Sequence, residues 1–127
     1  MIEFLLELGI NEKDINNILE MNKDLVDYEE YGKNVEVLRM IGCEDKEIRN
    51  IIISNPNFII RSNSDVVKLI KAFNNYGFTD LDMLFDSNPY LLNLDDFELR
   101  DFFKEKESEG LSKDDIIDLV ETEFGVI

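Results

Sequence analysis

A six-residue string constrains this chain more than any other feature. Ser54-Asn55-Pro56-Asn57-Phe58-Ile59 returns thirty-three residues later as Ser87-Asn88-Pro89-Tyr90-Leu91-Leu92. The same step backwards lands on Met21-Asn22-Lys23-Asp24-Leu25-Val26, which keeps the asparagine and the apolar pair but puts Lys23 in the proline's place. A recurrence of roughly twenty to fifty residues marks stacked supersecondary units, each too small to bury its apolar face without a neighbour.

Glycine supplies the second landmark. Gly9, Gly42, Gly77 and Gly110 lie at intervals of 33, 35 and 33. Each closes a helical stretch, where a residue free to turn left-handed is needed as a C-cap. An apolar residue follows each glycine (Ile10, Cys43, Phe78, Leu111), then a start signal (Asn11, Glu44, Thr79, Ser112), of which Glu44 is the weak one by residue type. Six residues beyond the glycines stand Ile15, Ile48, Met83 and Ile116, expected to make equivalent core contacts.

This register predicts first helices over 12–21, 45–54, 80–87 and 113–123, and longer second helices over 29–41, 63–76 and 95–109. Between them the Asn-Pro corner interrupts the helix, since proline disfavours the α conformation in the residue before it, and the apolar triplet after it forms a tight 3-10 turn. Val66, Val67, Leu69, Ile70 and Phe73 make an apolar stripe at helical spacing, with Asp65, Lys68 and Lys71 off it. Ile2, Phe4, Leu5 and Leu8 read as a shortened second helix. The expected fold is therefore all-α: a helical-repeat solenoid of three to three and a half units of period about 33, occupying residues 1–127 as a single domain. A length of 127 residues with 44% hydrophobic content suits one core rather than two.

The order glycine, apolar residue, capped helix, proline, apolar pair and longer helix resembles the repeats of the mitochondrial transcription termination factor (mTERF) family, in which proline is followed by apolar positions three, ten and seventeen residues on. From Pro56 these are Ile59, Val66 and Phe73; from Pro89 they are Leu92, Leu99 and the departing Lys106; from Lys23 they are Val26, Lys33 and Met40, a partial fit. The resemblance implies a superhelix of helical pairs with a concave face, used in that family to bind nucleic acid.

Charge points elsewhere. Asp plus Glu number 29 against 13 Lys plus Arg, a net charge of -16, so a polyanion meets repulsion on approach. Residues 1–38 carry ten acids and three bases, 39–77 four and six, and 78–127 fifteen and four. Only the middle is basic, where Arg39, Arg49, Arg61, Lys68 and Lys71 form one candidate patch; a duplex binder commonly neutralises about six to ten phosphates. The expected function is a non-enzymatic scaffold whose acidic surface receives a protein partner, itself basic. The alternatives are nucleic-acid binding of the mTERF type through the central patch, and an acidic inhibitor that mimics nucleic acid.

No histidine, phosphate-binding glycine loop or nucleophile beside a base is present, so no catalytic, cofactor or metal residues are assigned. Asp95, Asp96, Glu98 and Asp101 lack calcium-loop spacing, and Asp95 or Asp96 is expected to cap the following helix. Cys43 occupies a position filled elsewhere by Ile10, Phe78 and Leu111 and is read as core. A lone cysteine suits a reducing, cytoplasmic setting; the acidic start of the chain lacks the features of a leader, and no apolar run is long enough for a membrane span. Among Tyr28, Tyr31, Tyr76 and Tyr90, only Tyr90 aligns with polar residues, Asn57 and Asp24, and is expected to face outward. At the C-terminus, Ile116, Ile117, Val120 and Phe124 lack a following second helix. They are expected to be partly open unless the tail folds back, which makes Phe124 a candidate contact for a partner or for self-association through the terminal half units.

Overall fold

The computed structural model describes residues 2–23, 31–123, 125 and 127. Among them all regular structure is helical. Eight α-helices follow in order: α1 (Ile2–Glu7), α2 (Glu12–Met21), α3 (Tyr31–Met40), α4 (Asp45–Ser54), α5 (Asn63–Tyr76), α6 (Leu81–Ser87), α7 (Asp96–Ser108) and α8 (Lys113–Thr122). Short 3-10 turns over Pro56–Ile60 and Pro89–Asn93 stand between α4 and α5 and between α6 and α7. The Asn-Pro corners therefore do as their sequence predicts: proline opens each turn, and the residue before it leaves the α conformation, at φ -141° for Asn55 and -137° for Asn88. Tyr28 and the residues at 24–26 lie outside the described residues, as do Phe124 and Val126.

Neighbouring units stack by like on like. The second helices α3, α5 and α7 pack in a row, α4 packs on α6, and the two corner turns touch each other. Fully buried Phe58, Phe73, Phe85 and Phe103 form the backbone of the core, with Phe73 packed edge-on to Phe78 at 5.0 Å and to Phe85 at 5.3 Å. Each such ring contributes about 1.5–3 kcal/mol by leaving water. The proline-anchored positions Ile59, Val66, Phe73, Leu92 and Leu99 are all 0% exposed.

Helix ends obey the glycine signals. Gly9, Gly42, Gly77 and Gly110 all take positive φ, between 87° and 103°. At Gly9 a second constraint applies, because an added Cβ would lie 3.0 Å from the Arg49 guanidinium, which crosses this turn to donate to the Leu8 carbonyl at 3.3 Å. Asn11 and Ser112 accept from the backbone N–H groups of Asp14 and Asp115. Glu44 opens α4 adequately despite its residue type, since the Glu47 carboxylate accepts from its N–H at 3.1 Å.

Two registers differ from expectation. Met83 is not the counterpart of Ile15, Ile48 and Ile116: those are buried, whereas Met83 is 64% exposed. Gly77 and Pro89 stand two residues closer together than Gly42 and Pro56. Only counting back from the proline preserves the core, and that places Leu81, Leu84 and Phe85 where Ile48, Ile51 and Ile52 stand. The shortening removes the first turn of the helix. Thr79 consequently caps nothing, and Asp80 precedes α6 in the left-handed region at φ 50°, which a short polar side chain tolerates. In the first unit the proline spacing likewise fails: Met40 is 84% exposed, and Leu38, four residues before Gly42 as Phe73 is before Gly77, fills the core.

Polar side chains join the units at the corners. A 3-10 turn leaves carbonyls without helical partners, and buried carbonyls need donors. Asn34, wholly buried on α3, donates through Nδ2 to the carbonyls of Phe58, Ile59 and Arg61 at 3.2, 3.3 and 2.7 Å. One unit on, Asn55 donates to the Pro89 carbonyl at 3.1 Å and exchanges amide hydrogen bonds with Asn93. Arg61 reaches the Leu92 and Leu94 carbonyls at 2.6 and 2.8 Å and the Asp95 carboxylate at 2.8 Å.

Candidate functional site

Five cations were expected to share one surface, and the fold distributes them instead. Arg39 pairs with Glu36 at 3.5 Å and Asp45 at 2.9 Å. Arg49 lies along the Gly9 turn, and Arg61 is committed to the second corner, where its guanidinium fork holds carbonyls and a carboxylate together. Arg49 and Arg61 act within the stack, and Arg39 is paired at the surface. Only Lys68 and Lys71 come together at a concavity, and they are joined there by a cation that the sequence reading left out, Arg100.

Adjacency of α5 and α7 creates this place. Lys68, Lys71 and Asn75 recur at helical spacing on the exposed side of α5, while Asp96 and Arg100 lie one turn apart on α7. With Ala72 and Tyr76 they line a cavity of about 370 Å³. Its aromatic wall is rigid: Tyr76 stacks on buried Phe103 with centroids 3.9 Å apart and planes at 13°. Burial pushes the Tyr76 phenol up from its ordinary range and Arg100 opposes that shift, so the ring keeps its proton at neutral pH. Arg100 is itself ion-paired with Asp96. The cavity thus offers two ammonium groups, one half-neutralised guanidinium and a flat phenol, a set suited to holding an anionic or aromatic group and lacking a nucleophile-base pair. An alignment of positions 96 and 100 on one helix face against 68 and 71 was the missing signal for Arg100; it requires knowing that α5 and α7 are neighbours.

The remaining acids of this region are accounted for locally. Asp95 caps α7, with the Glu98 carboxylate accepting from its N–H at 3.1 Å, and also receives Arg61. Cys43 is 6% exposed, and its thiol is pushed up to about 12, first by burial and then by Glu47, Asp82 and Asp86. Such a thiol carries almost no thiolate at neutral pH. Lys106, where the apolar spacing from Pro89 departs, lays its ammonium 5.7 Å from the Phe102 ring centre and ion-pairs with Glu109 at 3.3 Å.

A second candidate surface lies at the C-terminal end. Tyr90 is 64% exposed, as its alignment with polar residues requires, whereas Tyr31 and Tyr76 are half-buried. Tyr90 borders a cavity of about 310 Å³ between the second corner, Val120 of α8 and the tail residue Ile127. The expected opening of this end is not found at Ile116 and Val120, which are 0% and 1% exposed. Ile127 packs back on the core, the fold-back alternative for the tail. Phe124, proposed as a contact, lies outside the described residues.

No helix among the described residues is long and apolar enough to cross a membrane. No curated protein and no solved structure gives a significant match to the chain. The mTERF family profile matches residues 1–124, the span over which glycine-capped helices, proline-led 3-10 turns and stacked second helices recur, and the chain belongs to the mTERF family.

Proposed function

We propose that this protein is a non-enzymatic binding scaffold whose acidic helical-repeat surface receives a basic protein partner. The observation that carries the reading is the fate of the cations. Against a net charge of -16, Arg49 and Arg61 of the one basic segment are engaged within the stack, Arg39 is held in surface ion pairs, and the cations that gather at a cavity are Lys68, Lys71 and Arg100. Duplex binding commonly calls on about six to ten phosphate contacts, and flanking acids repel phosphates within a Debye length of about 8 Å. Membership of a family of helical repeats supports binding through a stacked surface rather than catalysis. The buried Cys43 thiol suits a reducing, cytoplasmic compartment.

Nucleic-acid binding of the family's usual kind is the second reading, favoured by one arrangement: Lys68, Lys71 and Arg100 converge beside Tyr76, a ring on which a base can stack. Affinity capture with the full chain, with and without nuclease, followed by salt elution, separates the two. A protein retained after nuclease and released by salt is expected. Retention that disappears with nuclease, together with micromolar binding of an oligonucleotide lost in Lys68→Ala/Lys71→Ala, would overturn the protein-binding reading. A retained partner that a DNA competitor displaces identifies the acidic surface as a nucleic-acid mimic. Light scattering tests self-association, which the charge opposes.

A further inference from the structure

In a chain of net charge -16, two neighbouring helices bring Lys68, Lys71 and Arg100 to one cavity of about 370 Å³. Like charges gathered at one place repel, and the one carboxylate of the lining, Asp96, already answers Arg100. Among the described residues neither Lys68 nor Lys71 enters an ion pair. Two positive charges are left over. The volume lies within the roughly 300–1,000 Å³ of small-ligand sites. Phe103 covers one face of the Tyr76 ring, with centroids 3.9 Å apart, so the ring is held in place and a ligand meets its other face or its hydroxyl edge.

We infer that this cavity is a binding site for a phosphate monoester borne on a flat ring, the phosphate held by Lys68, Lys71 and Arg100 and the ring packed against Tyr76. Charge sets the class of ligand. A monoester carries about -1.5 to -2 at neutral pH, which matches the two uncompensated charges, and its three terminal oxygens give each cation an acceptor. A phosphodiester within a polymer has less charge at one point and is followed by further phosphates. Those meet Asp101 and Glu107, close enough to act on the Tyr76 phenol, and the fifteen acids of residues 78–127. Asp96 is the internal competitor: its carboxylate occupies the Arg100 guanidinium until a stronger oxyanion takes its place. An exposed pair of this kind adds little to folding, and Asp95 with Glu98 already closes the start of α7, so removing Asp96 changes affinity rather than structure. The site is independent of the basic-partner reading, which uses the chain's acids, and it takes the cations that the nucleic-acid reading would use.

The test is titration of the full chain with phenyl phosphate and with adenosine monophosphate, followed by amide NMR shifts. Saturable binding in the millimolar range or tighter is expected, with shifts around Lys68, Lys71, Tyr76 and Arg100. Lys68→Gln/Lys71→Gln, two exposed changes, should weaken it about tenfold, the equivalent of about 1.4 kcal/mol. Asp96→Asn should tighten it severalfold, which a merely structural role would not do. Inorganic phosphate should bind more weakly than either monoester, and the tighter of the two monoesters shows whether the ring is a simple aryl group or a nucleobase, both results supporting the site. No saturation at tens of millimolar, affinity unchanged in Lys68→Gln/Lys71→Gln or in Asp96→Asn, or inorganic phosphate binding as tightly as the monoesters overturns the proposal. So does tighter binding by a single-stranded oligonucleotide without a terminal phosphate, which would return these cations to the nucleic-acid reading. Capture of a basic protein tests the scaffold reading separately: it fails if wild type and Lys68→Gln/Lys71→Gln both retain none, whatever the monoesters do.

Discussion

Replacing Asn34 should destabilise the protein more than its single side chain suggests, because one amide serves a whole corner. Its Nδ2 stands 3.2, 3.3 and 2.7 Å from three carbonyl oxygens, and its Oδ1 accepts from Asn63 at 3.1 Å. Two amide protons can satisfy two of the three carbonyls fully. Removing them forfeits about 1 kcal/mol net per bond and leaves buried carbonyls without donors, so Asn34→Ala should cost about 2–4 kcal/mol of an expected total near 5–15. Asn34→Leu isolates the polar contribution. Leu69 and Phe102 occupy the same place before Gly77 and Gly110 that Asn34 occupies before Gly42, so an apolar side chain fits the helix register and only the hydrogen bonds are lost, about 1–3 kcal/mol. Asn34→Asp turns the donor into an acceptor facing acceptors and should be the worst of the three near neutral pH, recovering in part on acidification as a protonated carboxyl regains one donor. Urea unfolding followed by helical circular dichroism measures all three. A variant Asn34→Leu as stable as the parent would refute the reasoning, for it would mean that the corner carbonyls do not depend on α3.

Other outcomes follow from burial and charge. Phe58→Ala and Leu91→Ala should each cost about 2–5 kcal/mol, whereas Tyr90→Ala should fall within about 0.5 kcal/mol; equal losses at Leu91 and Tyr90 in the same urea assay would show the corner facing the other way. Arg61→Lys should destabilise despite keeping the charge, because a lysine cannot reach two carbonyls and a carboxylate with one fork, and a thermal melt unchanged by that substitution would remove the clamp from the account. The folded state holds the Cys43 proton up to about 12 against an ordinary 9.0, so its contribution to stability is complete below about pH 9 and is lost as pH rises towards 12; relative to wild type, Cys43→Ala should show a shallower decline over that window. A thiol reagent at neutral pH should leave native Cys43 unmodified and label it on unfolding.

Backbone punctuation was legible in the sequence, and side-chain polarity at the corners was not. Glycine and proline act through local conformation, so Gly9, Gly42, Gly77 and Gly110 end helices and Pro56 and Pro89 begin 3-10 turns without help from the rest of the chain. The two landmarks disagree where the interval between them changes, and there packing decides. In α6 the core is kept in step with Pro89, which selects Leu81 over Met83; in α3 it is kept in step with Gly42, which selects Leu38 over Met40. Asn34 carried a readable signal, an amide on the apolar stripe of Tyr31, Val35 and Leu38, where a wholly buried polar group implies a partner across a helix boundary. Arg61 carried none, since a cation after a turn looks the same whether it faces water or the next unit. For the candidate sites, the exposure of Tyr90 followed from its polar counterparts, but the joining of Arg100 to Lys68 and Lys71 depends on which second helices are neighbours.

The corners are periodic in geometry but not in chemistry, and this has a consequence for how the units hold one another. Each 3-10 turn frees carbonyls that must be met from the preceding unit, and the donors differ: Asn34 from α3 at the first corner, Asn55 and Arg61 from the first corner at the second. Donation to the corner carbonyls runs forward along the stack, while Asn63 and Asn93 donate back to the Asn34 and Asn55 side-chain carbonyls. At both corners the bonds join one unit to the next, so stability couples nearest neighbours. Substituting Asn55 should weaken folding by about 1–3 kcal/mol, because the Pro89 carbonyl loses its donor and Asn93 its amide partner. Asn55→Leu and Asn88→Leu make a matched comparison, the same residue type in the same backbone setting before a proline; equal losses in urea unfolding would show that the bonds from Asn55 to the second corner add nothing to stability.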